Sequence, residues 1–147
     1  MSYRVLQLTN PVVGAVAADA LMPLGAITRK LCCGNQAQRT FGVSTTGANT
    51  ISLNDTGFYR VTYSVSAVAG AAGVVSIALN QNETALYTVS QTAAAAGDTV
   101  NLTLVYIVRV APNCSAVISN LPANLQVVNT GVALTGGTSN ILVEKVF

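Results

Sequence analysis

The stretch Gly57-Phe58-Tyr59-Arg60-Val61-Thr62-Tyr63-Ser64-Val65-Ser66-Ala67 decides the fold. Tyr59, Val61, Tyr63, Val65 and Ala67 fall on one side of an extended chain, and Phe58, Arg60, Thr62, Ser64 and Ser66 on the other. A strict period of two, carried by β-branched and aromatic residues, predicts a half-buried strand. Asn54-Asp55-Thr56-Gly57 supplies a turn before it.

Working outward, Thr99–Val110 alternates in the same way, with Val100, Leu102, Leu104, Tyr106, Val108 and Val110 on one side. Val74–Leu79, Leu86–Ser90, Ser115–Ser119, Leu125–Asn129 and Asn140–Val146 read as further strands. Tyr3–Leu8, Val12–Ala17, Ile27–Leu31 and Thr50–Leu53 are weaker ones. Turns fall at Asn80–Glu83 and Ala111-Pro112-Asn113, and Gly70–Gly73 reads as an Ala-rich hairpin. The one run of good helix formers, Ala93–Ala96, is stopped at once by Gly97-Asp98. Many short strands without crossover helices predict an all-β antiparallel sandwich or jelly roll. The prediction divides the chain into a jelly-roll domain, residues 41–147, and residues 1–40, which form either an extended arm or the first strands. The latter segment is a candidate attachment element.

Composition narrows the function. Charged residues make up 8% of the 147 residues and hydrophobic ones 51%, against roughly 25% charged in an ordinary soluble domain. A chain this small cannot hide so much apolar surface in its own core, so part of its exterior is expected to become an interface. No apolar run approaches the ~18 residues that a membrane helix needs, and no membrane insertion is expected. Net charge is +2 and only Arg29-Lys30 are adjacent bases, so nucleic-acid binding by phosphate neutralisation is not expected either. Val12–Ala17 imitates the apolar part of a signal peptide, but Asn10-Pro11 interrupts it and Arg4 is a thin charged start. A cleaved signal is not expected.

Catalytic residue types are scarce. The chain has no histidine, which removes Ser-His and Cys-His nucleophile arrangements. Of its five acids, Asp55, Glu83 and Asp98 sit in evident turns. No Gly-rich phosphate loop and no spaced acidic calcium loop occurs. The chain is therefore predicted not to be an enzyme, with no catalytic residue, cofactor or metal site. Cys32, Cys33 and Cys114 are an odd number, and adjacent cysteines bridge each other poorly. Buried reduced thiols are the favoured reading, with a bridge from Cys114 to Cys32 or Cys33 left open. Of the tyrosines, Tyr59, Tyr63 and Tyr106 alternate as core residues, while Tyr87, after a polar loop, is the least committed of the candidates for recognition or an interface and Tyr3 fits an arm.

The segment Gly57–Tyr63, placed after Ile51–Leu53 and a turn, resembles the G-x-Y-x-φ-x-Y strand of the C1q/tumour-necrosis-factor-like jelly rolls. The apolar strand Ile141-Leu142-Val143, and Val108–Asn113 followed by Ser115–Ile118, are similar to later strands of that family. The opening Leu6–Val13, with Leu24–Arg29, resembles small structural proteins of phages and prophages. The first resemblance implies a homotrimer in which Phe58, Arg60 and Thr62 approach the three-fold axis while Tyr59, Val61, Tyr63 and Val65 fill the sandwich. A buried Arg60 would need a carboxylate or carbonyl partner. The second resemblance implies a virion protein, a capsid decoration or head fibre, partnered by the major capsid or another virion protein. The alternative on the same trimer is a host-attachment module that binds a surface glycan.

Overall fold

The computed structural model describes residues 4–31, 41–43, 49–110 and 123–146. Ten strands account for most of them: β1 (Arg4–Asn10), β2 (Ala26–Leu31), β3 (Phe41–Val43), β4 (Ile51–Leu53), β5 (Gly57–Ala69), β6 (Gly73–Gln81), β7 (Thr84–Ala93), β8 (Thr99–Val110), β9 (Ala123–Asn129) and β10 (Leu134–Lys145). They form two five-stranded antiparallel sheets, ordered β2-β1-β10-β5-β8 and β3-β4-β9-β6-β7. The expected turn at residues 111–113, the strand over 115–119, Tyr3 and all three cysteines lie outside the described residues.

Alternation built both sheets. Tyr59, Val61, Tyr63, Val65, Leu102, Leu104 and Val108 point inward from the first sheet and meet Ile51, Leu53, Ile77, Leu79, Leu125 and Val127 of the second, all buried. Phe41, on the short β3, closes this core edge-on against Tyr59, with ring centroids 6.0 Å apart. Face-to-face burial of two alternating surfaces is the packing that such a pattern requires.

Three local readings are corrected. Gly70–Gly73 is no hairpin: β5 and β6 belong to different sheets, so this turn carries the chain across the sandwich. Val12–Ala17 is not a strand; Val16 makes only an isolated bridge to Leu134. Asn140–Val146 is the second half of a longer strand that begins at Leu134.

Residues 11–25 strap the open side of the sandwich. Val13, Val16, Met22 and Leu24 are buried in the core. Their backbone is tied to β10 by Val13 N–Gly137 O (2.9 Å) and to β9 by Met22 N–Val127 O (2.7 Å). Asn129, fully buried, pins the strap from inside: its amide donates to the carbonyls of Ala17 (3.3 Å) and Val132 (3.0 Å). Gly25 ends the strap at φ +90°, where a Cβ would lie 2.3 Å from the Thr9 carbonyl oxygen. Only glycine meets both demands. The strap feeds β2, so β1 lies inside its sheet between β2 and β10.

Candidate assembly surface

The outer face of the first sheet is made by the residues that alternate with the core. On β5 these are Phe58, Arg60, Thr62, Ser64 and Ser66; on β8 they are Asn101, Thr103, Val105, Ile107 and Arg109. Register places Arg60 opposite Ile107 and Thr62 opposite Val105. On the other side of β5, Leu142 faces Thr62 and Glu144 faces Arg60. The three residues that the resemblance assigned to an interface thus share one face with two aliphatic neighbours from β8. Val105 is 54% exposed, Ile107 47% and Phe58 39%.

Within this apolar patch stands one ion pair. Arg60 Nη2 donates to Glu144 Oε2 at 2.9 Å, with side-chain exposures of 47% and 7%. A half-exposed pair contributes little to the isolated chain. It does prepare Arg60 for desolvation, because the carboxylate that a buried guanidinium needs is already in place.

The other end of the same face is polar. Ser64, Ser66, Asn101, Thr103, Thr138 and Asn140 line a trough of about 550 Å³. The face is therefore half apolar and half hydroxyl- and amide-lined.

A second candidate contact lies at the open edge between β7 and β8, the terminal strands of the two sheets. Tyr87 and Tyr106 stack there with centroids 5.8 Å apart and planes at 24°. Tyr87 is 46% exposed, and Leu86 and Val89 beside it are only partly buried. Among the described residues no further strand pairs with β7 or β8 on this side, and a strand edge that presents aromatic surface is a ready interface.

The core tyrosines perform no exposed chemistry. Tyr59 donates to the Asp55 carbonyl oxygen at 2.6 Å. Burial, and then the Asp55 charge, push its hydroxyl well above the ordinary phenol range. Asp55 itself pairs with Arg4. Burial pushes Tyr63 up to about 12, an effect that the neighbouring Ser139 hydroxyl partly opposes. Neither of those two hydroxyls completes a hydrogen bond. Among the described residues no group of three His, Cys, Asp or Glu could hold a metal ion, and no helix is long and apolar enough to cross a membrane.

Strand order, strand directions and the all-antiparallel pairing define a C1q/TNF-like jelly roll. No family model and no curated protein matches the chain. Solved structures do. Eiger TNF from S. frugiperda superposes with a TM-score of 0.70 at 13% identity, covering 100% of this chain and 94% of that one. The globular domain of zebrafish complement 1qA gives 0.65 at 5% identity, covering 98% of each. The PRD1 vertex protein P5 gives 0.59 at 18% identity, covering 100% of this chain and 74% of that one. At such identities the likeness is one of fold.

Proposed function

We propose that the chain is a non-enzymatic structural protein of a phage particle, working as a homotrimer that decorates the capsid or forms a head fibre. The observation that carries this reading is the patch of exposed Phe58, Val105 and Ile107 with half-buried Leu142, set around the Arg60–Glu144 pair on one sheet face. Closing a ring about a three-fold axis requires two different surfaces that fit each other, since each contact is head-to-tail. The molecule presents two: this patch and the tyrosine-lined β7–β8 edge. Thr62 lies at the centre of the first, so Phe58, Arg60 and Thr62 approach the axis in the trimer. The fold's likeness to a phage vertex protein supports the virion setting and a capsid protein as partner. The exposed turn of the strap around Val12, within residues 1–40, is the attachment element on this reading.

Light scattering on the full chain tests the assembly: the expected mass is three chains, and a monomer at all concentrations contradicts the proposal. Mass spectrometry and electron microscopy of purified particles test the location. The chain is expected on the capsid exterior in three-fold clusters, and particles that lack it contradict the virion role. A second reading, a host-attachment module on the same trimer, is favoured by a depression on the second sheet lined by Asn82, Glu83, Asn124 and Gln126, the face that such a trimer leaves outside.

A further inference from the structure

The β6–β7 turn consists of Asn82 and Glu83, both with positive φ (49° and 69°). Two-residue turns of this kind ordinarily take Asn-Gly, because a side chain in the left-handed region is strained. Here the second position carries a carboxylate. The turn is clamped to β9: Asn82 N donates to the Asn124 carbonyl oxygen at 2.9 Å, and Asn124 N donates to Asn82 Oδ1 at 2.9 Å. Beneath the turn opens a depression of about 270 Å³, lined by Asn82, Glu83, Asn124 and Gln126.

Each amide in that lining is held at one end by the scaffold. Asn82 Oδ1 is held by the β9 backbone, Asn124 Oδ1 accepts from Ser52 Oγ (2.9 Å), and Gln126 Nε2 donates to Thr50 Oγ1 (2.9 Å). Their other ends, the amide nitrogens of Asn82 and Asn124 and the Gln126 carbonyl oxygen, make no hydrogen bond among the described residues. Beside Gln126 on β6, Asn80 keeps its Oδ1 buried and without a partner. The four lining residues thus offer two amide donors, one amide acceptor and one exposed carboxylate, with Asn80 Oδ1 buried outside the lining.

That combination selects a ligand class. A metal cation is opposed by the two amide NH₂ groups and would find a single carboxylate. An anion is opposed by Glu83. A neutral ligand that both donates and accepts satisfies every group, and the volume suits one six-membered ring. We propose that this depression binds a neutral pyranose, whose hydroxyls donate to Glu83 and Gln126 and accept from Asn82 and Asn124. The inference gives the attachment reading its ligand and rests on that reading for its biological use, but it does not depend on the trimer.

The test is a titration of the full, isotope-labelled chain with a panel of neutral methyl pyranosides, followed by NMR of the side-chain amides, alongside light scattering. At least one sugar is expected to move the Asn82 and Asn124 NH₂ signals with a Kd on the order of 1 mM, the strength available to so few ligand atoms. Glu83→Gln, at an exposed turn, is expected to weaken that response about tenfold with signal dispersion and mass unchanged. A host polysaccharide that binds the wild type and loses the variant would identify a surface glycan, rather than a free sugar, as the source. The inference is overturned if no pyranoside moves those signals, if calcium chloride alone does, or if Glu83→Gln binds as well as the wild type. None of these outcomes alters the mass on which the trimer stands or falls.

Discussion

The two sheets bury equivalent faces but present different ones to the outside. Outward from the second sheet, Val74 pairs with Thr92, Ser76 with Ser90 and Ala78 with Thr88 and half-buried Val128, so small and hydroxyl side chains prevail, and among the described residues of that face Val74 alone is an exposed large aliphatic. Outward from the first sheet, exposed Phe58, Val105 and Ile107 stand with half-buried Leu142 around an ion pair. The inward residues cannot explain that difference, because both sheets feed one core. On the proposed assembly the two faces differ in what they meet: solvent for the second sheet, protein for the first. A single exposed valine is ordinary on a soluble surface, whereas a cluster is not.

The comparison assumes that the two sheets contribute equally beneath their faces. Leu104→Ala on β8 and Ile77→Ala on β6 each open a cavity at a fully buried site, and each should cost about 3 kcal/mol of unfolding free energy. Urea titrations that find one variant near wild type would show that a single sheet carries the core.

High pH should separate the sheets more finely. Tyr59 and Tyr63 are both on the first sheet, and burial raises both hydroxyls. In the unfolded chain a tyrosine loses its proton near 10, whereas folded Tyr63 holds it to about 12. Between those values the native state binds more protons than the unfolded state, so stability is full below about pH 10 and falls as pH rises toward 12. The expected loss is on the order of 2 kcal/mol from Tyr63 alone. Thermal melts from pH 8 to 12 check this, and Tyr63→Phe should flatten the decline. A pH-independent midpoint would contradict the burial of these hydroxyls.

The smallest effect is a contrast between the same two residues at neutral pH. Tyr59→Phe removes a 2.6 Å bond to the Asp55 carbonyl oxygen and should cost about 1 kcal/mol. Tyr63→Phe removes a buried hydroxyl that completes no bond and should be neutral or slightly stabilising, within about 0.5 kcal/mol. Equal losses in chemical denaturation would mean that Tyr63 has a partner after all.

Sequence reveals a strand when its neighbours differ in polarity, and β5 met that condition from Tyr59 to Ala67 and β8 from Thr99 to Leu104. β3 did not, because Phe41-Gly42-Val43 is too short to alternate. The strap was illegible for another reason. Val13, Val16, Met22 and Leu24 follow no period, and what holds them is Asn129 and the β9 and β10 backbones, more than a hundred residues away. The sheet change at Gly70–Gly73 was hidden because a short Gly- and Ala-rich turn reads alike whether the strands it joins pair with each other or part into two sheets. Of the assembly surface, Phe58, Arg60 and Thr62 were named from a resemblance. Val105 and Ile107 were overlooked, although they stand between Thr103 and Arg109 as aliphatics at solvent-side positions. Glu144 as the Arg60 partner required register, which no single strand's sequence contains.

The central claim is that the outer face of the first sheet assembles and the outer face of the second does not. Sedimentation of two variants tests it directly: Val105→Asp with Ile107→Arg on the first sheet, and Val74→Asp on the second. All three positions are about half exposed in one chain, so neither variant should unfold it. The account predicts that the first variant sediments as a single chain while the second keeps the mass of three. A first-sheet variant that remains trimeric, or a second-sheet variant that falls apart, would contradict it.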